Sequence, residues 1–292
     1  MRSKSRFPRG LVLVAALATG LGLTPNILGQ EPADETVETV FPIVANLSYG
    51  ESSNARYFDT LFTVFNGSAT TETVVLSFYE DDGQPFQSGF FWNGSDLANS
   101  GQPFDVEPGR LLYVWANRAG FNGWARASAG RLVTVNAQVI VRNRDWADPL
   151  ILTGLPHWYP PPLDSVLTTF RLTGMRPADK FVMAALAWGY DESSLALVNP
   201  SPEEAVQVTL YGLNIAGGVQ GEATVSIPPL HRISLFLHEF GGLLGDPPQT
   251  MIGAARIEST GPIAVGTLLN LARDNVPINM PFSPVPTSTS TP

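Results

Sequence analysis

The residues able to carry chemistry are few and poorly spaced for it. The chain of 292 residues has no cysteine and only three histidines, His157, His231 and His238. No thiolate nucleophile, disulfide or thiolate metal site can form. His231 and His238 stand seven apart on or beside one expected strand, and an odd separation puts them on opposite faces, away from a common metal ion. Glu80, Asp81 and Asp82, with Asp96 further on, could offer oxygen ligands to Ca²⁺, but the D-x-D-x-D-G spacing is missing and Asp82-Gly83 reads first as a hairpin turn. The other carboxylates that could serve as paired acid and base are Asp145, Asp148, Glu203, Glu204, Glu239 and Asp246. Most fall in apparent turns, where a solvated carboxylate is expected. No serine lies in G-x-S-x-G, and no glycine-rich loop precedes a helix. The expectation is a protein that is not an enzyme and carries neither cofactor nor metal.

Aromatic clusters are the stronger lead. Phe90, Phe91 and Trp92 sit between two turn signals, and consecutive rings in a strand cannot all face one core. His157, Trp158 and Tyr159 form a second cluster. Phe91, Trp92, Trp158 and Tyr159 are therefore the candidate ligand or interface residues, able to stack on sugars or bury against a partner. The competing expectation folds Phe90–Trp92 onto its own module and uses Trp158 and Tyr159 to cement two modules together. Trp124 is expected in a core, because GWAR (123–126) opens an inner strand. Arg126 and Arg256 hold matching places in two repeats, which points to a structural hydrogen bond or ion pair.

Those repeats organise the chain. Five segments recur in order: 41–50 with 181–190, 61–66 (LFTVFN) with 195–199 (LALVN), 74–79 (VVLSFY) with 206–211 (VQVTLY), 106–115 with 227–237, and 123–127 (GWARA) with 253–257 (GAARI). About 100 residues can bury a core alone, so each copy reads as a domain. Strand signals broken by Asn66-Gly67-Ser68, Asp82-Gly83 and Pro108-Gly109 imply tight turns. The long alternating stretch 131–142 slips once in phase, as at a bulge. The fold class expected is all-β, as two tandem antiparallel β-sandwich domains of Ig-like type.

The boundaries expected are a signal peptide over 1–30, a flexible lead-in over 31–40, module 1 over 41–143, a Pro- and aromatic-rich connector over 144–164, module 2 over 165–282 and a disordered tail over 283–292. Within this scheme 166–172 (VLTTFRL) opens the second module. The connector is stiffened by Pro160, Pro161 and Pro162. Arg2, Lys4, Arg6 and Arg9 precede the apolar run 11–23, too short to span a bilayer and suited to an export signal. Cleavage falls near Gln30 without an A-x-A site, so an uncleaved anchor is the alternative. The net charge of −9, with all four leader charges positive, leaves an acidic body without a basic stripe, which argues against nucleic acid. N-x-S sequons at Asn46, Asn66 and Asn93 would matter only in a eukaryotic host.

The order of LALVNP (195–200), FYEDDG (78–83), Pro108-Gly109 and GWAR (123–126) resembles tandem β-sandwich (Ig-like) repeat modules of uncharacterised secreted bacterial proteins. The second copy departs from it, with GAAR for GWAR and a turn at 214–218 in place of D-D-G. The resemblance implies a sandwich and export to the periplasm, cell surface or medium. It supplies no activity and no functional residue. The expected function is an exported, non-enzymatic cell-envelope or extracellular interaction and scaffold protein, with a protein or polysaccharide partner and no membrane span after signal removal. A carbohydrate-binding pair using exposed aromatics comes second, and a hydrolase third.

Overall fold

A computed structural model describes residues 35–49, 56–86, 90–92, 99–115, 121–143, 166–172, 174–188, 191–244, 250–271, 276–279 and 282–284. The expected signal peptide, the connector with Trp158 and Tyr159, and His157 lie outside the described residues. So do Asp96, Asp145, Asp148 and Asp246.

Alternating apolar residues with frequent turns build antiparallel strands throughout. In the first half these are β1 (Thr36–Tyr49), β2 (Arg56–Asn66), β3 (Glu72–Glu80), β4 (Phe90–Trp92), β5 (Pro103–Val106), β6 (Leu111–Trp115), β7 (Phe121–Gly130), β8 (Val133–Asn143) and β9 (Val166–Leu172). In the second they are β10 (Ala178–Trp188), β11 (Asp191–Val198), β12 (Val206–Asn214), β13 (Val219–Ile227), β14 (Arg232–Phe236), β15 (Met251–Leu271), β16 (Val276–Asn279) and β17 (Phe282–Pro284). The fold is all-β and sandwich-like. One 3-10 turn, Leu237–Glu239, is the helical element described.

In the first half β5-β3-β7-β1 form one layer and β4-β6-β2-β8-β9 the other, joined where β1 pairs with β2 at Asn46–Tyr49. Phe62 of one layer packs edge-on against Phe41 and Phe78 of the other, at centroid distances of 5.2 and 5.5 Å. Burying each ring contributes about 2–3 kcal/mol. The pairings β1–β2, β1–β7, β2–β6, β2–β8, β3–β5, β3–β7 and β8–β9 recur as β10–β11, β10–β15, β11–β14, β11–β15, β12–β13, β12–β15 and β15–β16. Here β15 runs unbroken through the places of both β7 and β8.

One buried asparagine closes the same corner twice. Asn66 Nδ2 donates to the carbonyls of Thr70 and Val106, and its Oδ1 accepts from Ser68 N–H. Asn199 Nδ2 donates to Glu204, Ile227 and Pro228, and its Oδ1 accepts from Ser201 N–H. Both side chains are fully buried. The sequon at Asn66 is thus an internal clamp with its amide hydrogens in use.

Several sequence expectations are corrected. The lead-in 31–40 contains the start of β1, since Thr36 to Val40 pair with Gly130 to Arg126 and Val40 is buried. The segment 166–172 does not open the second sheet; it adds to β8 at the edge of the first. The tail begins later than 283, because Ser283 and Pro284 pair with Val182 and Phe181. The phase slip in 131–142 is a turn at Arg131-Leu132, after which β8 alternates against β2 in unbroken register.

Replacing Asn66 or Asn199 with Ala should cost about 2–4 kcal/mol, because buried carbonyls are left without donors. Asp at either position should cost at least as much, since it turns a donor toward carbonyls into another acceptor. Urea midpoints at unchanged slope measure this, and a loss below about 0.5 kcal/mol would refute the clamp.

Candidate functional site

The richest constellation of polar and aromatic groups lies where the two sheets meet. It is built from the outer face of β1-β7-β3 and from the turn and strand around β14. Trp124, on β7, is fully buried. It stacks on Tyr79 across the strand at 4.3 Å, and its indole N–H donates to the Leu230 carbonyl at 3.0 Å. Sequence reasoning placed Trp124 in a core. The core it joins is that of the other half, alongside Val198, Leu210 and Ile257, because GWAR turns its tryptophan outward from its own sandwich.

Arg232 is the centre of the site. It begins β14 at 5% exposure. Its Nη1 donates to the carbonyls of Pro42 (3.3 Å) and Gly123, its Nε lies 2.6 Å from Asp81 Oδ1, and its backbone N–H donates to the Asp81 carbonyl at 3.0 Å. Burial lowers the guanidinium's pKa from its ordinary value, and the neighbouring Asp81 charge and hydrogen bond oppose that shift. All these partners come from the first half. Asp81 therefore has a cation partner, and the Glu80–Asp82 run is a turn pressed against the second half. Gly83 adopts φ +79°, and a Cβ there would meet His231 Nδ1 at 3.0 Å.

The turn that carries Arg232 copies the one before β6. His231 N–H donates to Pro228 as Arg110 N–H donates to Glu107. Gly109 occupies the left-handed position in one, with φ 69°, and Leu230 occupies it in the other, with φ 60°. A leucine there is strained by about 1–2 kcal/mol. Its side chain packs on the junction core. Arg126 reaches across to the Pro200 carbonyl and lies 3.8 Å from Glu38. Arg256 stays within its own half, over the Tyr211 ring at 4.3 Å. Gly266 lies so near β1 that a Cβ would meet the Ile43 side chain at 2.9 Å.

Beside this contact runs a groove of about 210 Å³, with apolar walls from Ile43, Phe58, Val139, Phe170 and Leu268 and polar groups from Arg232, Ser194 and Ser234. The catalytic candidates do not gather in it. Glu239 accepts from Phe236 N–H at its own 3-10 turn. Glu203 and Glu204 sit in the turn capped by Ser201 Oγ. His238 pairs with Glu192 at 2.6 Å, while His231 Nδ1 faces the Pro229 carbonyl. Among the described residues no three His, Asp or Glu side chains converge as a metal site. Phe91 and Trp92 lie in β4, paired with Val114 and Tyr113 of β6. No helix among the described residues is long and apolar enough to cross a membrane. No protein-family model matches the chain, and no curated protein matches it.

Sequence reasoning missed Arg232, Asp81 as its partner, and Leu230. The available signal was a leucine where the matching turn has glycine, and an arginine where the matching strand has Leu111.

Asp81→Asn should cost about 1–2 kcal/mol, a modest loss for a buried cation because the carboxylate itself is half-exposed. Leu230→Gly should stay within about 1 kcal/mol of wild type, since relief of left-handed strain offsets the lost contacts. Leu230→Ala loses the contacts and keeps the strain, so it should be the less stable of the two. Thermal unfolding of the pair reads the order, and Ala above Gly would contradict the strain argument.

Proposed function

We propose that this chain is an exported, non-enzymatic scaffold: two tandem Ig-like β-sandwich modules locked into one body that presents its outer faces to a macromolecular partner. The observation that carries the reading is the junction itself. Its tryptophan, its buried arginine and a strained leucine are all used to hold one half against the other. A rigid spacer needs that investment of side chains, and a flexible tether does not. The described carboxylates of Asp59, Asp81, Glu192 and Glu239 are each engaged in structural contacts with Arg142, Arg232, His238 and the Phe236 N–H. The recurring pair order of the strands supports duplication of one module. Export rests on the basic and apolar pattern of the first 23 residues.

Trp124→Ala tests the rigid pair. Removing a fully buried tryptophan costs about 3–5 kcal/mol, and here the loss falls on the contact between halves. Solution scattering should show a larger radius of gyration, while far-ultraviolet circular dichroism keeps its strand signal. An unchanged scattering profile would remove the junction as the basis of the reading. Affinity electrophoresis through envelope polysaccharides should give no retardation. Retardation that Trp92→Ala abolishes would replace the scaffold with carbohydrate binding.

A further inference from the structure

We propose that the chain associates with itself head to tail, the outer face at Phe65 and Leu111 of one copy docking on the outer face at Val182 and Ile252 of the next. The proposal deepens the scaffold reading and rests on it. Inside the chain, the halves meet through unlike faces: β1-β7-β3 of the first covers the Val198–Arg232 strand pair and the Leu230 turn of the second. A contact between unlike faces of like units consumes one face on each and leaves the other face on each free.

The register identifies the spare faces. Val198 pairs with Arg232, and the corresponding pair in the first half is Phe65 with Leu111. Val40 pairs with Arg126, and the corresponding pair in the second half is Val182 with Arg256. Exposure follows this division. Val198 and Arg232 are 0% and 5% exposed, whereas Phe65 and Leu111 are 42% and 43%. Val40 is 0% exposed and Val182 is 36%. Near the first spare face stand two more exposed apolar residues, Tyr113 and Leu132. The second carries Ile252 on the strand, and Ile215 and Val219 at the turn that replaces Asp81 to Gly83. Among the residues whose side chains are described, these two places hold the exposed large apolar ones.

The free faces are simpler than the ones in use. Leu111 stands in place of Arg232, so the first face brings no buried cation to the contact, and the cation on the second face, Arg256, lies over the Tyr211 ring of its own half. Ala254 stands in place of Trp124, so the principal anchor is absent. The contact between copies is therefore apolar and weaker than the contact within a chain.

Sedimentation velocity on the full chain tests it. The mass should rise with concentration above the 31.4 kDa of one chain. Leu111→Lys with Tyr113→Lys should hold the protein at one chain, and so should Val182→Lys with Ile252→Lys. Mixing these two variants should restore a dimer and nothing larger, because each keeps the face the other has lost. A wild type that stays at one chain at every concentration overturns the proposal. So does association that survives both pairs of substitutions, as contact through the apolar N-terminal segment would. Variants that fail to combine point to a symmetric contact instead and also overturn it. Scattering on either single-chain variant separates this failure from that of the scaffold reading. A compact profile leaves the locked pair standing, and an extended one removes it.

Discussion

The burial of one guanidinium governs how the two halves fit. A charged side chain loses its water at a cost of several kcal/mol, which nearby acceptors and an opposite charge offset in part. Here Nη1 and Nε have such partners, and Nη2 has no hydrogen-bond partner among the described residues. Arg232 is carried by the second sheet, but Pro42, Gly123 and Asp81 of the first sheet supply the acceptors. β14 can therefore be covered only if the first half sits in one orientation, with two backbone carbonyls and one carboxylate aimed at a single point. The apolar contact follows from that alignment. Trp124 enters the second core, Met175 joins both halves by bonding to Val40 and lying 3.0 Å from Val265 N–H, and Gly266 allows β1 and β15 to touch.

The recurring topology is specialised by a few substitutions. Where the first half has Gly109 and Leu111, the second has Leu230 and Arg232. Where the first has Trp124, the second has Ala254. These changes turn matching surfaces into a complementary pair. Strain at Leu230 is concentrated at this contact, where the surrounding packing can hold an unfavourable backbone in place. The interior positions changed less in kind. Phe62 and Leu195, Val64 and Leu197, and Asn66 and Asn199 do the same work in both halves.

Strand identity was legible because alternation has a short period and needs only local sequence. The match of 61–66 with 195–199, of 106–115 with 227–237 and of 123–127 with 253–257 agrees with the observed register. The other two matches do not. Register pairs Val40 with the place of Val182, and Tyr79 with that of Leu213, so the sequence match was displaced by two residues in β3 and by one or two in β1. A slip of two keeps every side chain on its own face, so the apolar pattern cannot detect it. The candidate site was less legible still. Phe91 and Trp92 drew notice as a run of rings, whereas Arg232 is a lone cation in an ordinary strand.

The sequence by itself determined the all-β class, the corners at Asn66 and Asn199 and the recurring order of strands, because turn chemistry and two-residue alternation are local properties. Only the tertiary structure decided which faces meet. That choice depends on distances between residues such as Asp81 and Arg232, about 150 positions apart, and nothing local distinguishes a tryptophan that fills its own core from one that fills its neighbour's. Tertiary structure also settled that 166–172 completes the first sheet, since an edge strand pairs with whichever open edge the folded chain brings beside it.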